Sequence, residues 1–148
     1  MSVFLSISAL VRDALLVAPA IAEGHVLRGR KSPLPQDWNS MVAIRTDRTS
    51  GESAGISAGP TDWTTAVDVE IHARGSATVD AEAAVDALLT PVYERLAALQ
   101  GADLGVMQVM VDPEITWDFF AGEHEVAAAT LSLRVVHRTP GANLNPWS

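Results

Sequence analysis

Asp68, Glu70 and His72 stand at alternate positions of the stretch 63–74, WTTAVDVEIHAR. Two carboxylates and an imidazole on one strand face could ligate a metal or work as an acid–base pair. Side chains alternate across a strand, so these three share one face while Val67, Val69, Ile71 and Ala73 share the other. Same-face neighbours lie about 6.5–7 Å apart along a strand, too far for an unaided tetrahedral site. The trio therefore reads as the polar face of a half-buried strand, wet or contacted by a partner.

The other candidates for chemistry are scattered. His124 and Glu125 fall in a predicted turn, His137 at a predicted strand end, and His25 alone, so all three histidines read as surface residues. There is no cysteine, which excludes disulfides, thiolate nucleophiles and Cys-ligated metals. No glycine-rich phosphate loop follows a strand, and neither a GxSxG elbow nor an HExxH pair occurs. Gly51, Gly55 and Gly59 precede no helix and so cannot cradle a phosphate. The expectation is a protein that is not an enzyme and carries neither cofactor nor metal. A net charge of −8 argues against nucleic-acid binding, which needs a field of Lys and Arg. Arg28, Arg30 and Lys31 form the one basic cluster and read as a solvated turn. Trp117 and Trp147 lie beside a turn and near the chain end, where a Trp packs a core margin or anchors a subunit contact.

These residues need elements to hold them. At 148 residues, 48% hydrophobic and 5% aromatic, the chain makes one domain with an Ala/Val/Leu core. Residues 3–22 resemble a signal peptide only superficially: no basic region precedes them, and Arg12 and Asp13 interrupt them. The spacing of Val3, Ile7, Leu10, Ala14, Val17 and Ile21 predicts a docked helix ending near Pro19 and Gly24. Short strands are expected at 25–28 and 41–45, separated by a connector holding Pro33 and Pro35. Residues 46–62, TDRTSGESAGISAGPTD, are too polar to offset their ordering entropy and are expected to form a long loop. After the strand at 63–74, Thr78 is the expected N-cap of a helix running to about Leu99. Its stripe is Ala81, Ala84, Val85, Leu88, Leu89, Val92, Leu96 and Leu99. Pro91 implies a kink, or a break with Thr90 capping a second piece. A strand over 106–120, interrupted near Pro113, and a last strand over 126–138 complete the chain, with 140–148 as a flexible tail. In the last strand Ala127, Ala129, Leu131, Leu133 and Val135 point one way. The fold class is α+β: a mixed, mostly antiparallel sheet of about four or five strands with two main helices on one face.

Taken in order, these segments resemble the tail-terminator family of long-tailed phages, the minor tail protein U group and its relatives, over roughly residues 3–138. The likeness is carried by the opening helix, the connector GRKSPLP leading to MVAIRT, a polar loop, and the strand WTTAVDVEIHA. The helix VDAEAAVDALLTPVYERLAAL with its internal proline and closing strands ending at ATLSLRVVHRT complete it. The resemblance implies a structural virion protein, assembled in the host cytoplasm and located at the head-proximal end of the tail. It implies a homo-oligomer, a hexameric ring, that caps the tail tube, stops its polymerisation and meets the head–tail connector or head-closure protein. No membrane contact is implied, and residues 46–62 would order only in the ring or on the tube. Candidate subunit and tube contacts are Arg28, Arg30, Lys31, Asp47, Arg48 and Glu52, with Asp62, Asp68, Glu70, Trp117, Glu123 and Trp147. The alternatives are another phage neck, head-closure or tail tube protein, and an α+β domain that binds or transforms a small molecule at Asp68, Glu70 and His72.

Overall fold

A computed structural model describes residues 1–29, 33–53, 59–120 and 125–147. The elements run α1 (Val3–Leu16), β1 (Val26–Arg28), β2 (Ser40–Ser53), β3 (Thr61–Arg74), α2 (Ala81–Ala97), β4 (Val106–Val111), β5 (Thr116–Phe120) and β6 (Val126–Thr139). The six strands form one sheet in the order β1-β2-β3-β6-β4, and β5 follows β4 along the same edge of β6. Only β1 runs parallel to its neighbour, so the sheet is mixed and mostly antiparallel. This is the expected α+β class, five strands across.

Both helices lie on one face. Val42, Ile44, Val67, Val69, Ile71, Leu131, Leu133 and Val135 pack there against Val3, Ile7, Val11 and Leu15 of α1 and Val85, Val92 and Leu96 of α2. Period-two burial in β3 and β6 agrees with their alternation in sequence. In α1 the buried stripe is Val3–Ile7–Val11–Leu15 rather than the expected stripe through Leu10, Ala14 and Val17, and the helix stops at Leu16. The segment is apolar nearly all round, so hydrophobic spacing leaves its phase open. The α1 C-terminus is held from outside: Arg95 of α2 donates to the carbonyls of Ala14, Leu15, Val17 and Pro19. A cation there satisfies carbonyls that lack helical partners and opposes the helix dipole.

α2 is capped by Asp80, whose side chain accepts from the Ala83 amide at 2.7 Å, and not by Thr78. The helix continues through Pro91 without a break. Its core stripe is as expected, with Ala81, Val85, Val92 and Leu96 buried and Ala84, Leu88, Leu89 and Leu99 packed partly against them.

Residues 46–62 differ most from expectation. Thr46–Ser53 prolong β2, and Thr61 and Asp62 open β3, so the polar stretch is mostly the outer half of a long hairpin. Its pairing runs from Ser40↔Ala73 to Ser53↔Thr61, with a register shift between Thr46 and Arg48. Backbone pairing with β3 stabilises what the side chains of β2 alone could not. Gly51 is required because the Trp63 ring crosses it: an added Cβ would lie 2.7 Å from the ring.

Residues 140–147 return along the domain. The Val3 amide, free at the start of α1, donates to the Leu144 carbonyl, and the Trp147 amide donates to the Arg138 carbonyl. Among the described residues no helix is long and apolar enough to cross a membrane.

Candidate functional site

Among the described residues, the second face of the sheet has no helix on it. Antiparallel partners share a face, so the register sets its rows from β2 to β5. Met41, His72, Ala128 and Asp118 form one row, followed by Ala43, Glu70, Thr130 and Thr116. Asp68, Glu70 and His72 do share this face, opposite the buried Val67, Val69 and Ile71. Arg45, one strand away, joins them: its Nη2 lies 2.8 Å from Glu70 and 3.7 Å from Asp68. His72 Nε2 is 3.4 Å from the other Glu70 oxygen. The trio is thus one half of a cross-strand ion network, partly withdrawn from water. Burial, followed by the charge of Asp47, raises the Asp68 pKa against the opposing pull of Arg45. Among the described residues no three His, Asp or Glu side chains converge as a metal site would require.

A second pair lies at the far end of the same face. Arg138 grips Asp62 directly across from it, Nε to Oδ1 at 2.6 Å and Nη2 to Oδ2 at 3.0 Å. This two-pronged bond lowers the Asp62 pKa and raises that of Arg138. The Trp147 ring lies 5.9 Å from the Arg138 guanidinium, so the chain end packs on the same pair. Glu52 faces Asp62 across the hairpin. Between the two clusters, Asp47, Arg48 and Arg134 line a shallow hollow of about 310 Å³, with Asp112 bonded to Arg134 at 3.1 Å.

A larger groove of about 610 Å³ opens beside Glu70 and His72. Pro33 and Leu34 of the connector wall one side and Phe120 of β5 the other, over a floor of Val126, Ala128 and Thr130.

The remaining candidates fall elsewhere. Arg28 is tied back to α1, reaching the Leu5 carbonyl at 3.3 Å and the Ser8 hydroxyl at 3.5 Å. Trp117 lies on the helix side of β5, packed against the core margin. Arg30, Lys31 and Glu123, and His124 with them, lie outside the described residues.

His137 is not the surface residue expected. It is fully buried on the helix side of β6, 2.7 Å from the Thr65 hydroxyl, with the Phe4 ring edge-on at 5.6 Å. Trp63 completes the cluster, meeting Phe4 edge-on at 5.1 Å and donating to the Thr139 hydroxyl. Burial pushes the His137 pKa down to about 4, and its Nδ1 has no partner among the described residues. It is a neutral core group. His25 is not isolated either: its ring stacks 4.0 Å from that of Trp38.

Two edges of the sheet are open among the described residues. β1 covers only Val42, Ala43 and Ile44 of β2, so among the described residues 46–52 pair in the sheet on one side alone. On the opposite margin β4 pairs only with β6, and Met107 and Met110 are 53% and 47% exposed. Such edges present unpaired backbone donors and acceptors to any strand that approaches. No protein-family model matches this chain, and no curated protein matches it.

Proposed function

We propose that this chain is a structural, non-catalytic protein of the tail-terminator kind. Six copies close into a ring on the finished end of a phage tail tube, stop its polymerisation and offer the surface that joins the head. The observation carrying this reading is the pair of open edges on opposite margins of one sheet. Different patches that meet head to tail close into a ring when the rotation per subunit permits it. The outer half of β2 would lie against β4 of the next copy. The layout of segments resembling the tail-terminator family supports the same reading. The ion-paired sheet face would then meet the tube or the connector.

Native mass spectrometry of the purified protein, with and without tail tubes, tests this. A closed six-membered species, formed alone or on tubes, is the expected result. Open-ended polymers would favour a tube subunit instead. A protein that stays monomeric in the presence of tubes and leaves their length unregulated would sink the proposal.

A further inference from the structure

The groove on the uncovered face holds a cation, Arg74, that has no counter-ion among the described residues. Arg74 lines it, and its Nη2 donates to the Pro35 carbonyl at 3.2 Å. No carboxylate among the described residues lies within ion-pair distance of it, whereas Arg45, the other arginine lining the groove, is paired with both Asp68 and Glu70. Its Nε is closed off from water and has no hydrogen-bond partner among the described residues. Of its amino groups only Nη2 has a partner among the described residues, the Pro35 carbonyl, so the guanidinium keeps donors to spare.

The register explains what lies beside it. Arg74 pairs with Val126, and Val126 pairs with Phe120, so the three form one row across β3, β6 and β5. Strands lie about 4.8 Å apart, which sets the Arg74 and Phe120 backbones about 10 Å from each other across an apolar step. Ala128 extends that step in the next row. Phe120 is 50% exposed, a large apolar surface left facing water. The other charges are either committed or screened: Glu70 is held by Arg45 and His72, and Asp118 is exposed to solvent.

The geometry points to a binding site for a small organic anion with an apolar body, an aryl or alkyl carboxylate, lying between Arg74 and Phe120. The carboxylate accepts from the Arg74 amino groups, and the body covers Val126 and Ala128 against the Phe120 ring. A volume of about 610 Å³ falls in the range of small-ligand pockets. The site does not depend on ring formation, and it gives the sheet face a ligand chemistry rather than only a contact role.

The probe is 2-naphthoate, titrated into the full-length protein and followed by amide chemical shifts, with neutral 2-naphthylmethanol as its uncharged counterpart. Saturable shifts confined to the rows around Arg74, Ala128 and Phe120 are expected, with the neutral analogue about tenfold weaker. Arg74→Met should weaken naphthoate about tenfold and leave naphthylmethanol unchanged, and Arg74→Lys should restore part of the loss. Phe120→Ala, at an exposed position, should weaken both probes and keeps the test open if an Arg74 variant fails to fold. Equal binding of charged and neutral probes, undiminished binding by Phe120→Ala, or no saturable shift at millimolar probe would each overturn the site.

Discussion

At neutral pH His137 lies uncharged between Thr65 and Phe4, in a place where its protonated form is poorly solvated. Its folded pKa of about 4 lies below the ordinary 6.5, so between those values the unfolded chain binds a proton that the folded chain refuses. The contribution to stability is whole above about pH 6.5 and declines as pH falls, levelling off below about 4 where both states are protonated. Fully developed, this gap amounts to about 3 kcal/mol. Urea midpoints at about pH 7 and about pH 4.5 should therefore fall further for the wild type than for His137→Leu, which cannot titrate. Parallel pH profiles for the two proteins would refute the assignment. His137 was legible as a core residue, because it continues the alternation of Leu131, Leu133 and Val135 by one more step. Its polarity masked that signal. The ion network was half legible: Asp68, Glu70 and His72 follow from alternation within one strand, whereas Arg45 joins them only through a cross-strand register that no single segment encodes.

Among the elements, α2 keeps a proline in its interior with no break, so the carbonyl four residues back, that of Ala87, loses its helical donor. Ala87 is exposed, and water can serve that carbonyl in place of the missing amide. Pro91→Ala restores the bond at the cost of a freer unfolded chain, and should stabilise the domain by roughly 1–2 kcal/mol, since an interior proline costs about 3 and chain stiffening returns about 1. Thermal unfolding checks this, and an unchanged or lower midpoint would mean that packing around Pro91 already offsets the lost hydrogen bond. Elements were readable where amphipathicity was strong. β3, β6 and the stripe of α2 were plain, because one side of each is apolar and the other polar. The phase of α1 was not, because apolar residues surround it. The outer half of β2 was hidden for the opposite reason: its residues are polar on both sides, and it exists as a strand only through pairing with β3.

For the whole molecule, the decisive property is a sheet that, among the described residues, ends on two open margins while one face is sealed by helices. A free margin is normally blunted by lysine, proline or a covering loop, since otherwise it templates association. β4 instead carries Met107 and Met110, flexible apolar side chains that adapt to a partner surface. If copies join through this margin, Met107→Lys with Met110→Lys should abolish the ring, because two ammonium groups would have to be desolvated against the neighbouring strand. Both positions are solvent-facing in the single chain, so the monomer's unfolding midpoint should shift little, within about 0.5 kcal/mol. Native mass spectrometry and thermal unfolding of the same variant separate the two effects. A ring that assembles undiminished would move the subunit contact away from β4, and a variant that loses its fold would mean that these methionines already serve the core.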